Sequence, residues 1–78
     1  MNSPSTVALE VTTPGVRLTA LASGRWRVNS RTGGLLGMLE PAESGEYRAL
    51  RFSVRERGFR TLGQFRTATD ATDALRYG

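Results

Sequence analysis

Neither cysteine nor histidine occurs in this chain, and that absence constrains its fold more than any motif it contains. Disulfides and the common zinc sites are both closed to it, so 78 residues must hold together by packing alone. A domain of this size buries only about 60% of the surface its unfolded chain exposes. Its core must therefore be thin and almost fully used. The same absence removes the thiolate nucleophile and the commonest general base.

Hydrophobic residues make up 38% of the chain and charged residues 23%, which is ordinary for a globular domain and too apolar for wholesale disorder. No apolar run approaches the roughly 18 residues that a membrane helix needs. Met1–Glu10 lacks the charged and apolar regions of a signal peptide. The expectation is a cytoplasmic protein with no membrane, metal or cofactor partner.

Residues 1–15 are expected to be a flexible N-terminal segment. Alternation of Val7, Leu9 and Val11 allows a strand over Thr6–Val11. Residues 16–78 are expected to form a single domain. Pro14-Gly15 is a turn signal. Val16–Ala22 suits a strand or a helical turn. Arg25–Ser30 alternates Trp26 and Val28 with Arg25, Arg27 and Asn29, the pattern of a half-buried strand. Thr32-Gly33-Gly34 predicts a hairpin turn, Leu35–Glu40 the returning strand, and Pro41 its end, because proline cannot donate to a ladder. After a polar loop at Ala42–Gly45, Glu46–Val54 sets Leu50, Phe52 and Val54 on one parity against Tyr47, Arg51 and Ser53. Arg55–Gly58 turns the chain into a last strand over Phe59–Phe65.

That last strand conflicts with itself: Phe59 and Phe65 share one parity, Leu62 the other. A bulge at Gly63 would let Leu62 and Phe65 both face the core; otherwise Leu62 is exposed. The helix is better marked. Thr67 is a good N-cap, with Asp70 placed as a capping-box partner. Ala68, Ala71, Ala74 and Leu75 then form one stripe, predicting a helix from about Ala68 to Arg76. A helix this short is marginal alone and must lie on a sheet. The fold class expected is α+β: a small antiparallel sheet of three to six strands packed on one C-terminal helix. Its expected core is Trp26, Val28, Leu50, Phe52, Val54, Phe65, Ala71 and Leu75.

All eleven cationic residues are arginine, net charge is +4 and the pI is near 11.1. Guanidinium groups form bidentate bonds to phosphate, carboxylate and guanine edges that ammonium cannot copy. If Leu50 and Phe52 face the helix, then Arg25, Arg27, Tyr47 and Arg51 face away, joined by Arg60 and Arg66. Such a face suits backbone phosphates with some reach to base edges. A charged, solvated sheet face would show the same residues.

Other constellations carry less. Thr32-Gly33-Gly34-Leu35-Leu36-Gly37 is no phosphate loop, since Gly-Lys-Ser/Thr opening a helix is missing; these are turn and bulge residues. Asp70 and Asp73 belong to the helix start and Glu56 offsets Arg55 and Arg57, so no carboxylate pair is marked for acid–base work. An enzyme is not expected.

Leu62-Gly63-Gln64-Phe65-Arg66-Thr67-Ala68 and the alanine-spaced run to Ala74 resemble the strand-to-helix transition of Apetala-two-type DNA-binding domains and of the arm-type domains of tyrosine recombinases. That resemblance implies a three-stranded antiparallel sheet on a C-terminal helix, the sheet's outer face lying in the DNA major groove. Tyr47-Arg48-Ala49-Leu50-Arg51 is similar to the family's first-strand motif. Too few residues separate it from Leu62 for a middle strand, so Tyr47–Val54 must itself be the middle strand. So aligned, the resemblance implies DNA contacts from Arg25, Arg27, Tyr47, Arg51, Arg60 and Arg66. The tryptophans of the family's later strands are absent here. The chain as a whole also resembles short actinobacterial proteins. The functional expectation is a DNA-binding accessory domain for duplex DNA, with a protein-interaction module for an acidic partner, or a structural protein without a defined ligand, as alternatives.

Overall fold

Regular elements form where the alternation is clearest, and Val16–Ala20 also forms a strand. A computed structural model describes residues 11–78, so all but the last residue of the Thr6–Val11 expectation lies outside the described residues. Among the described residues five strands, β1 (Val16–Ala20), β2 (Trp26–Ser30), β3 (Leu35–Pro41), β4 (Tyr47–Ser53) and β5 (Gly58–Phe65), precede one helix, α1 (Ala68–Tyr77). The strands form a single antiparallel meander in sequence order. The fold is a small α+β domain with the helix packed on one face of the sheet.

Local chemistry accounts for the joints. Gly33 takes the left-handed conformation that the β2–β3 turn requires (φ 105°), and Ser30 N–H donates to Gly34 O across it at 2.8 Å. Pro41 is the last residue of β3. Thr67 caps the helix as its sequence predicts: its side-chain oxygen accepts from Asp70 N–H at 3.0 Å.

The core lies between the helix and the sheet. Val28, Leu39 and Ala49 contribute from the sheet and Ala68, Ala71 and Leu75 from the helix, with Trp26, Tyr47 and Phe65 packed around them. Burying a side chain such as Leu39 or Leu75 contributes about 1.5–3 kcal/mol. Thr72 is also buried, and its hydroxyl donates to Ala68 O at 2.8 Å, so no polar group is stranded there. Residues 11–15 run along the helix: Thr13 Oγ1 donates to Asp73 Oδ1 at 2.6 Å, and Thr12 N–H to Thr69 Oγ1 at 3.1 Å.

Strand pairing corrects the expected faces. Buried Leu39 is opposite Ala49, and Gly37 is opposite Arg51, so Tyr47, Ala49 and Arg51 share the helix-side face of β4. Leu50 and Phe52 therefore point away from the helix, and Val54 is 78% exposed in the following turn. These three leave the core expected from parity, and Leu39, Ala49 and Ala68 enter it. The cause is close approach. Gly37 is buried under Leu75, and a helix lined with alanine needs a small residue such as Ala49 beneath it.

The expected break in β5 is present. Ala49 is opposite Gly63 while Leu50 is opposite Thr61, leaving Leu62 as an extra residue. The bulge turns Phe65 toward the core, but Leu62 remains 38% exposed and does not join it. On the other side of the break, Phe59 pairs with Phe52 and faces away from the helix.

Candidate functional site

The helix covers one face of the sheet; among the described residues no element covers the opposite, outer face. Cross-strand pairing runs Thr19, Arg27, Met38, Leu50 and Thr61 across it in one row. A second row carries Glu40, Arg48 and Gln64. Arg17 is paired with Asn29, and Asn29 with Leu35. Phe52 and Phe59 form a third pair toward the β4–β5 turn.

The six arginine and tyrosine positions expected from sequence are dispersed by this geometry. Arg27 is on the outer face. Arg25 precedes β2 and reaches Glu40, Nε to Oε2 at 2.9 Å. Tyr47 packs against the core. Arg51 is on the helix side, where its Nη2 donates to Ala74 O at 3.1 Å and Gly78 O at 2.8 Å. Ala74 O also accepts from the C-cap Gly78 N–H at 3.0 Å, Gly78 O lies at the end of the helix, and a cation suits the negative end of the helix dipole. Arg60 is opposite Arg51 on the same side, exposed. Arg66 is exposed in the link between β5 and the helix. The six do not form one surface.

Glu40 is the electrostatic knot of the outer face. Arg48 hydrogen-bonds it and Arg25 pairs with its other oxygen. The Arg48 hydrogen bond, with help from both charges and against partial burial, holds its carboxyl below the ordinary value of 4.5. Arg25 and Arg48 are thus half-neutralised. Among the described residues they are the only arginines with a carboxylate partner.

The strongest basic surface is one that parity did not predict. In a meander, alternate turns fall at the same end of the sheet. The β2–β3 turn, the β4–β5 turn and the helix C-terminus therefore share an end. This brings Arg31, Arg55, Arg57, Arg60 and Arg76 together, against Glu56 as the one acid among the described residues of those turns. Arg76 folds back toward β1, where a Cβ on Gly15 would meet its Cζ at 3.0 Å. Arg57 holds a left-handed backbone (φ 56°), a conformation that costs a non-glycine residue about 1–2 kcal/mol. The sequence marks an arginine in each of these turns; that the two turns share an end follows from the meander.

The opposite end carries Glu43 in the β3–β4 turn, Glu46 beside it and Asp70 at the helix start, with Arg66 in the link between β5 and the helix, so the basic excess lies at the first end. Among the described residues no group of three or more acidic side chains is placed to hold a metal ion, and no helix is long and apolar enough to cross a membrane.

A scan against protein-family models finds no match, and neither the curated proteins nor the solved structures hold one.

Proposed function

We propose that this chain is a non-enzymatic nucleic-acid-binding module, a DNA-binding accessory domain that grips phosphates with its arginine-rich end. The observation that carries the reading is the convergence of Arg31, Arg55, Arg57 and Arg60 at one end of the sheet with no carboxylate paired to them among the described residues. Unpaired guanidinium groups repel one another and are held there at some cost in self-repulsion, which a polyanion relieves. Arg17 and Arg27 extend the positive field onto the outer face. Arg25 and Arg48, already engaged by Glu40, contribute less. The strand-to-helix resemblance supports the same reading. The phosphate-gripping residues differ from those it implies, because Tyr47 and Arg51 serve the core and the helix end.

Anisotropy titration with a duplex at about 50 and 200 mM salt tests it. Each phosphate contact adds about −0.9 to the slope of log affinity against log salt, so four contacts predict a loss of roughly 100-fold over that range. Absence of binding at about 50 mM salt, where non-specific attraction is strong, would remove the reading.

A second reading, a module for an acidic protein partner, is favoured by the apolar pair Met38 and Leu50 beside Arg27. Methionine, aromatic residues and arginine are enriched at protein interfaces. It predicts feeble attraction to nucleic acid and a partner whose capture is lost in Arg27→Ala.

A further inference from the structure

The outer face pairs two aromatic rings where a sheet usually shows polar residues. Phe52 and Phe59 are direct cross-strand partners on β4 and β5, with ring centroids 5.5 Å apart and planes inclined by 58°. Phe59 is 42% exposed. Among the described residues no element covers them, because the helix occupies the other face. A cross-strand aromatic pair stabilises its hairpin, yet that role would be served equally on the covered side.

From this pair we infer that the module binds nucleic acid as a single strand, with unpaired bases stacked on Phe59 and Phe52. The inference rests on the nucleic-acid reading above and narrows it. Three features point to it. Phe59 is exposed and Phe52 half-buried beside it, and aromatic rings stack on any base. Phe59 is two residues beyond Arg57, at the start of β5 next to the turn that carries Arg55 and Arg57, so a base on the ring would bring its own phosphates toward those arginines. Around the pair, Leu35, Met38 and Leu50 are apolar and Thr61 offers a single hydroxyl, few donors for base edges, whereas a duplex presents only edges in its grooves. An open sheet of this kind, with aromatic residues on adjacent strands and cations at its rim, is the surface that unpaired bases need.

The test is anisotropy titration of the intact chain with labelled oligothymidine and oligouridine of about 12 nucleotides and with a duplex of equal length, at about 50 mM salt. A single strand should bind more tightly than the duplex. Phe59→Ala should weaken single-strand binding about tenfold or more and change duplex binding less than twofold. Phe59→Trp should restore single-strand affinity. Phe59→Leu keeps apolar bulk for the fold and should not restore it. Tighter duplex binding, or wild-type single-strand affinity in Phe59→Leu, would overturn the inference while leaving the nucleic-acid reading in place. Binding of neither form would remove both. A protein partner lost on Phe59→Ala, with no oligonucleotide bound, would assign the face to the second reading.

Discussion

Gly37 of β3 is seated directly beneath Leu75 of the helix: a Cβ there would stand 2.8 Å from Leu75 Cδ2 and overlap the Leu50 carbonyl. The Leu75 methyl can swing aside, but the β4 backbone cannot yield as a side chain can, so an added methyl must push β3 and β4 apart beneath the helix.

Gly37→Ala is expected to destabilise the fold by about 2–3 kcal/mol, a fall in Tm of roughly 10–20 °C for a domain of this size. Gly34→Ala is the control, since a Cβ there meets only Ser30 Oγ at an ordinary 3.5 Å. Thermal melts of the two should differ widely. Equal melts would show that the β4 backbone does not approach Gly37 this closely.

Arg51 is expected to behave as a structural residue. Its guanidinium holds two carbonyls at the end of the helix, and charge-assisted bonds of this kind contribute about 1–2 kcal/mol in partly buried surroundings. Arg51→Ala should lower the urea midpoint, and any loss of binding should vanish once the folded fraction is corrected for. A fully stable Arg51→Ala that binds poorly would return Arg51 to the contact surface.

Glu40 gives a pH dependence of known sign. Its carboxyl is held below 4.5 in the folded state, so ionisation favours folding. That contribution is complete above about pH 5 and is lost as pH falls below 4.5 through the folded value. The stability gap between wild type and Glu40→Gln, measured by urea melts, should narrow as pH drops from about 6 to 3. A gap that widens would contradict the ion-pair arrangement.

Arg57 sets stability against binding. Its left-handed backbone (φ 56°) suits glycine, so Arg57→Gly should leave stability unchanged or raise it by up to about 1 kcal/mol, while weakening attraction to a polyanion. Clear destabilisation would show that the arginine side chain packs in the turn.

Much of the fold was legible. Alternation marked β2 and β4, the Gly33-Gly34 turn marked the hairpin, and Thr67 marked the helix start. The covered face of β4 was not legible, because Leu50 and Phe52 are more hydrophobic than Ala49, and burial was awarded by helix proximity instead. Arg51 misled for a related reason: its acceptors on Ala74 and Gly78 lie 23 and 27 residues away, beyond any local pattern. In β5 the bulge after Thr61 separates Phe59 from Phe65 by face, which strict period-two parity cannot express. The arginine end required knowing that the five strands meander.

The most direct measurement concerns the β4–β5 turn. Salt-dependent titration of Arg55→Ser/Arg57→Gly, beside the wild type, should show weaker binding and a salt slope flatter by about two units, with the melting curve preserved. An unchanged slope would contradict the claim that this end of the sheet grips phosphate.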